Sequence, residues 1–324
     1  MLLSGAVFSR AEASEFIGLI LQPDAEPLQI SAALAVIRQR GATGQELAGF
    51  AEGVLADSRM IQFEAEGVVD TCGTGGGPAT INISTAAALM AAAAGAKTAK
   101  HGGRSVTSQC GSADVLMALG IELTNDEGRL QQCMNEAGFA FLFAPDFHPA
   151  MKVLGPMRRQ MGFRTVFNQL GPLMNPAKVK RQIIGVYHSS FLEPMAEAAR
   201  LLGAHKTLIV HGADAMDEIS PCGPSEGLWT DGTRTELRPE QFGFAPLVLS
   251  TIKQGTLAEN AEAVVTGLTN RTSIEFYASL PAAATAVSLS LDIDIAEAVS
   301  RIESAVDSGA GLTVLQKLRE ITTA

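Results

Sequence analysis

Cysteine is scarce in this chain. The four present, Cys72, Cys110, Cys133 and Cys222, lie far apart and form no Cys-x-x-Cys pair. That spacing argues against a zinc site and against a disulfide framework, and fits a reducing compartment. Basic residues are also in short supply: 24 Lys and Arg face 34 Asp and Glu, a net charge of −10. Proteins that coat nucleic acid by counterion release need the opposite balance, so no nucleic-acid partner is expected. A local basic pocket for a phosphorylated small molecule stays compatible with that charge. Long apolar runs are missing too. The longest strictly apolar one, residues 86–94, falls far short of the roughly 20 residues that span a bilayer, so no membrane association is expected. No basic n-region precedes Arg10 and no small-residue cleavage site follows a long apolar core, so the expected location is cytoplasmic. Internal repeats and low-complexity linkers are absent from the sequence.

The 324 residues correspond to about two domains of ~150 residues each, enough to bury a sizeable core. A composition of 47% hydrophobic and 18% charged residues fits a globular enzyme and not a disordered chain. Residues 1 to 65 read as a small domain of three helices. Ser9 with Glu12, and Thr43 with Glu46, are capping-box pairs that satisfy orphan N–H groups at a helix start. Ile30, Ala33, Leu34 and Ile37 form a helical stripe with Gly41 behind it, and Leu47, Phe50, Val54 and Leu55 form another. Three short amphipathic helices cannot hide these stripes on one another. They should pack on the rest of the chain or on a second copy.

From Val68 the texture changes. Short apolar runs (68–70, 139–143, 182–187, 208–210) alternate with alanine-rich helical stretches (85–94, 113–119, 193–202). That pattern predicts an α/β fold with a mostly parallel central sheet surrounded by helices, spanning residues 66–324. Asp231-Gly232 predicts a hairpin. The end of the chain reads as helical from Leu257, with Ile295, Val299, Ile302 and Val306 on one stripe.

Three segments carry groups suited to chemistry. In Asp70-Thr-Cys-Gly-Thr-Gly-Gly-Gly-Pro-Ala-Thr-Ile-Asn-Ile-Ser-Thr85, a strand enters a loop of four glycines and then a helix starting near Ser84. Glycines let backbone N–H groups approach an anion, and a helix N-terminus favours negative charge. No Gly-Lys-Ser/Thr ends the loop, and Pro78 spoils a dinucleotide fingerprint. A turn before an N-capped helix is the plain alternative. The second segment, Lys100-His-Gly-Gly-Arg-Ser-Val-Thr-Ser108 followed by Gly111-Ser-Ala-Asp114, suits a polyanion, or else is a solvated loop. The third places Asp217 and Glu218 just after a predicted strand: a magnesium site, or a solvated acidic pair. His101, His148 and His211 have no metal-ligand spacing and read equally well as structural. Loops that follow parallel strands converge at one edge of the sheet, which links the three segments.

Together with Arg164-Thr-Val-Phe-Asn-Gln-Leu-Gly-Pro-Leu-Met-Asn-Pro176, these segments occur in the order and spacing of the anthranilate phosphoribosyltransferase family, which the chain resembles over nearly its whole length. The resemblance implies a small helical domain, joined by helices from about 148–175, and a large α/β domain. It also implies a homodimer through the helical domain. The implied activity is transfer of the phosphoribosyl group of phosphoribosyl pyrophosphate to the amine of anthranilate, with Mg2+ (two ions) as cofactor.

Carried over by position, Gly73, Gly76, Gly77, Thr80, Asn82, Ile83, Ser84, Thr85, Lys100, Arg104, Ser105, Thr107, Ser108 and Ser112 hold the donor. Gly73, His101, Gly103 and Arg164 face anthranilate, and Ser84, Asp217 and Glu218 bind the metal. No residue is assigned as a general base, since an aromatic amine is already a nucleophile. The chain departs from the family in three places. Its glycine loop is one residue shorter and lacks the usual acidic residue. Gly103 replaces the usual asparagine, which removes a polar contact to the acceptor unless a left-handed backbone is the reason for glycine there. Pro281 interrupts a C-terminal helix. The Gly103 change leaves open a relative acting on another aromatic acceptor, or a phosphorylase-type relative; a non-catalytic binding protein on the same scaffold is the rival of another class.

Overall fold

The computed structural model describes residues 5–104 and 110–323. Helices α1 (Arg10–Ile20), α2 (Pro27–Arg40) and α3 (Gly44–Ala56) open the chain. Both capping boxes form: the Ser9 and Thr43 side chains accept from the Glu12 and Glu46 N–H groups, and each glutamate reaches back to its cap. Gly41 ends α2 at φ +81, a conformation costly for a side chain with a Cβ. The apolar stripes take the first of their two options and pack on the rest of the chain. Ile17, Leu34, Phe50 and Val54 share one core with Leu154, Met157, Phe167 and Leu170 from the middle of the chain. Leu19 and Leu28 remain exposed.

A seven-stranded sheet forms the second body. Its strands are β1 (Val69–Gly73), β2 (Thr98–Gly102), β3 (Phe139–Phe143), β4 (Arg181–Gly185), β5 (Lys206–Gly212), β6 (Ser225–Trp229) and β7 (Arg234–Leu237). They lie in the order β3-β2-β1-β4-β5-β6-β7. The first five are parallel, and β6 and β7 close the sheet as an antiparallel hairpin turning at Gly232, φ +92. Between the strands run α4 (Ile83–Ala93), α5 (Ser112–Ala118), α6 (Glu127–Gln132), α7 (Ala144–Phe147), α8 (Gly155–Met161), α9 (Phe167–Leu170) and α10 (Leu192–Leu201). Four more follow: α11 (Leu257–Thr269), α12 (Ile274–Leu291), α13 (Ile295–Asp307) and α14 (Ala310–Thr323).

Strand alternation divides the apolar side chains between two faces. Val69, Ile183, Leu208 and Val210 join the core of α4 and α12, while Ile184, Ile209 and Leu228 join that of α10 and the N-terminal helices. Burial on both faces is what a parallel sheet requires.

Helix α12 corrects one expectation. It runs unbroken through Pro281 for 18 residues. Proline lacks the N–H that would bond the carbonyl four residues back, a cost of about 3 kcal/mol. Burial of Phe276, Leu280 and Val287 in the core offsets it, at about 1.5–3 kcal/mol per large side chain. By length and composition α12 could cross a bilayer, but most of it is buried inside the protein.

Candidate functional site

Strand order reverses beside β1: β2 and β3 lie on one side, β4 and β5 on the other. Loops leaving the carboxyl ends of neighbouring strands part company at such a point and leave a crevice. The glycine loop leaves β1, the Gly103–Arg104 segment leaves β2, Tyr187 follows β4, and Asp217-Glu218 follows β5. All open on that edge.

The glycine loop closes around a carboxylate. Gly75 and Gly76 adopt φ +68 and +114, which turns successive N–H groups inward. The Gly75 N–H donates to Asp217 Oδ2 at 2.7 Å and the Gly77 N–H to Oδ1 at 3.3 Å. A Cβ on Gly73 would collide with that carboxylate, and one on Gly76 with the Arg164 guanidinium. Arg164 Nη1 donates to the Gly76 carbonyl at 3.0 Å, and its guanidinium lies 4.7 Å from the centre of the Tyr187 ring. The arginine thus ties the loop tip to Tyr187, two residues beyond β4.

Beneath the loop lies the N-terminus of α4. Lys100 is buried and donates to the Thr71 carbonyl (2.6 Å) and Ser84 Oγ (3.1 Å). Its ammonium is therefore engaged under the helix rather than free in the loop. Glu218 is held near the same helix end by a hydrogen bond from the Ser84 backbone. Burial, with the adjacent Asp217 charge, pushes the Glu218 carboxyl up to about 8, and burial raises Asp217 as well. Asn82 sits at the cap of α4 without capping it. Its Nδ2 donates to the Cys110 carbonyl at 3.4 Å, while Oδ1 is buried with no partner. Thr85 Oγ1 donates to Ser112 Oγ at 3.0 Å, joining α4 to α5. Thr80 forms an isolated bridge with Lys253, and Ile83 is a buried core residue whose side chain offers no polar contact.

On the opposite face of β2, as strand alternation demands, His101 is buried. Its Nδ1 lies 3.1 Å from the Gly171 carbonyl and its Nε2 3.1 Å from His148 Nε2. His148 Nδ1 in turn meets Ser58 Oγ at 2.6 Å. Burial lowers both rings, to about 3 for His101 and about 4 for His148, so both are neutral at pH 7. Both ring nitrogens of His101 are thus engaged within the protein. Gly103 is not left-handed, and among the described residues a Cβ there would meet nothing within 4 Å; the backbone reason for glycine does not hold. Arg104 is exposed, 3.9 Å from Asp114. Ser105, Thr107 and Ser108 lie outside the described residues.

Sequence reasoning missed Tyr187, although its place just after a parallel strand was a signal. It also missed Ser58 and Asn175. Asn175 Nδ2 donates to Asp70 Oδ2 (2.9 Å), and Asp70 Oδ1 accepts from the His101 N–H (3.3 Å). Nothing in the spacing of those residues announces the contacts.

Residues 65–312 match the model of the glycosyl transferase family a/b domain, and residues 1–58 that of the glycosyl transferase family helical bundle domain. The chain is 39% identical over 331 residues to the anthranilate phosphoribosyltransferase of Thermomicrobium roseum, covering 99% of this chain and 95% of that one. It is 39% identical to that of Myxococcus xanthus, covering 96% and 94%. Among solved structures, the Thermus thermophilus anthranilate phosphoribosyltransferase superposes with a TM-score of 0.93 at 34% identity, covering 100% and 98%. The Saccharomyces cerevisiae enzyme in complex with PRPP and Mg superposes with a TM-score of 0.91 at 28% identity, covering 99% and 96%.

Proposed function

The chain belongs to the anthranilate phosphoribosyltransferase family, and from that premise we propose how its crevice carries out the reaction. The activity is transfer of the phosphoribosyl group of phosphoribosyl pyrophosphate to the amine of anthranilate, with release of pyrophosphate, in tryptophan biosynthesis. One observation carries the assignment to this crevice. The glycine loop, the start of α4, the Asp217-Glu218 pair and Arg164 all meet at the carboxyl edge of the sheet.

Breaking the ribose C1–O bond builds negative charge on the departing pyrophosphate and positive charge on the ribose. The inward N–H groups of the glycine loop and the first turn of α4 suit the donor phosphates. Gly73, Gly76, Gly77, Thr80, Asn82, Ile83, Ser84, Thr85, Lys100, Arg104 and Ser112 form that proposed subsite, and the unpartnered Asn82 Oδ1 is free to accept a ribose hydroxyl. Lys100 acts through Ser84, whose hydroxyl it orients. Arg164 directs its planar guanidinium toward the acceptor carboxylate. His101 shapes the acceptor side with its ring, since both nitrogens are held; Gly103 leaves room on that side, and Gly73 brings the backbone close to the acceptor beside Asp217.

The donor set fits Mg2+: two half-buried carboxylates and a hydroxyl offer hard oxygen ligands. Burial raises the proton affinity of both carboxyls and the Asp217 charge raises that of Glu218 further, a penalty that a divalent cation relieves. Ser84, Asp217 and Glu218 would hold it, with two ions as the proposed number. When bound, Mg2+ offsets the charge that develops on the leaving pyrophosphate.

The domain division at about residue 65, with 148–175 assigned to the helical part, belongs to the same reading. So do a cytoplasmic location and a homodimer. The exposed Leu19 and Leu28 support an interface on the helical part. Asp217→Ala and Glu218→Ala should each lower turnover by roughly 10²–10³-fold, about 3–4 kcal/mol, followed by the loss of anthranilate fluorescence. Unchanged turnover in both variants would refute the metal-site assignment.

A further inference from the structure

The glycine loop is an anion cradle, and the anion in it belongs to the chain itself. Both Asp217 oxygens accept from loop N–H groups, Oδ2 from Gly75 at 2.7 Å and Oδ1 from Gly77 at 3.3 Å. The fit is close on every side. A Cβ on Gly77 would stand 2.8 Å from Asp217 Oδ1, and one on Gly73 or Gly185 would collide with Asp217. Arg164 pins the loop tip through the Gly76 carbonyl. The loop offers no carboxylate of its own, with glycine and proline at 77 and 78; the one it holds comes from the β5 loop, 142 residues from Gly75.

Each of these N–H groups has one hydrogen to donate, so the cradle cannot serve Asp217 and a donor phosphate at the same time. We propose that Asp217 is an internal placeholder for the donor's pyrophosphate. It occupies the Gly75 and Gly77 amides in the unliganded protein, turns to the cation when Mg2+ is present, and thereby releases both amides to the pyrophosphate group. The proposal rests on the functional reading above and adds an order to it. The cradle stays closed to donor phosphates until Asp217 has another partner. By linkage, metal and pyrophosphate then strengthen each other's binding. The exchange also keeps the half-buried carboxylate partnered in each state, by the amides or by the cation, which avoids the penalty for leaving it bare.

The test follows the loop amides in the full-length protein labelled with 15N-glycine, read by hydrogen exchange at Gly75 and Gly77. Saturating Mg2+ alone should speed exchange at both by about tenfold, the scale of one charge-assisted hydrogen bond. Adding pyrophosphate to the Mg2+ form should restore protection. In Asp217→Asn, which keeps the side chain's shape, both amides should exchange faster without Mg2+, and Mg2+ should no longer change them. Calorimetry on the same samples reports whether each ligand binds. If Mg2+ and pyrophosphate bind but Mg2+ alone leaves Gly75 and Gly77 protected, the placeholder is refuted and the functional reading stands. If neither ligand binds, both fall.

Discussion

Gly103→Asn tests the acceptor side of the site, with a magnitude that follows from the structure. Gly103 lies just beyond β2, its backbone is not left-handed, and its carbonyl accepts from the Ala113 N–H at 3.3 Å. A Cβ built there meets no heavy atom of a described residue within 4 Å, so a side chain can begin there without straining the backbone. What asparagine adds, on the proposed placement of Gly103 beside the acceptor, is a side-chain amide able to donate a hydrogen bond to anthranilate. One hydrogen bond is worth about 1 kcal/mol, roughly fivefold in affinity. The Michaelis constant for anthranilate should fall by about that factor, while that for phosphoribosyl pyrophosphate stays within twofold. Steady-state kinetics with each substrate varied separately, followed by anthranilate fluorescence, reads both constants. Equal losses for donor and acceptor would mean that the loop had been distorted. An unchanged anthranilate constant would mean that Gly103 does not border the acceptor, and either outcome refutes the argument.

Further outcomes follow from the same geometry. Glu46 is fully buried and binds the Arg40 guanidinium and the Phe8 and Thr43 N–H groups, so Glu46→Gln should cost about 3 kcal/mol of stability. A shift below 1 kcal/mol by urea denaturation would show that the pair is dispensable. His101 and His148 are lowered from 6.5 to about 3 and about 4 by burial, so the unfolded chain takes up their protons first. Their stabilising contribution is complete above pH 6.5 and is lost as pH falls toward 4, at about 1.4 kcal/mol per pH unit for each ring. Urea midpoints measured from pH 7 to 5 check the slope, and His148→Gln should flatten it. Light scattering at micromolar concentration should give twice the chain mass, and Leu28→Glu should halve it; a monomeric mass for the parent protein would rule out the dimer.

The parts that could be read in advance are those decided within a few residues. Ser9 with Glu12 and Thr43 with Glu46 cap their helices because a cap is a contact three residues long. The apolar runs of β3 and β5 form strands because both faces of a parallel sheet are buried, and the glycine loop turns inward because its own backbone permits positive φ. Resemblance extended this reading to roles for Ser84, Asp217, Glu218 and Arg164, which the fold brings to one crevice. Composition also misled: Pro281 looks like a helix breaker, yet burial in the core outweighs its missing hydrogen bond. Tertiary structure alone decided which groups meet. Asp217 reaches the amides of Gly75 and Gly77 because β1 and β5 lie on either side of β4, an order set by how the crossover helices pack. Lys100 and His101, adjacent in sequence, face opposite sides of β2, one toward Ser84 and the other toward His148 and Ser58. Side-chain alternation is local, but what waits on each face depends on segments tens of residues away, and no short-range signal encodes those distances.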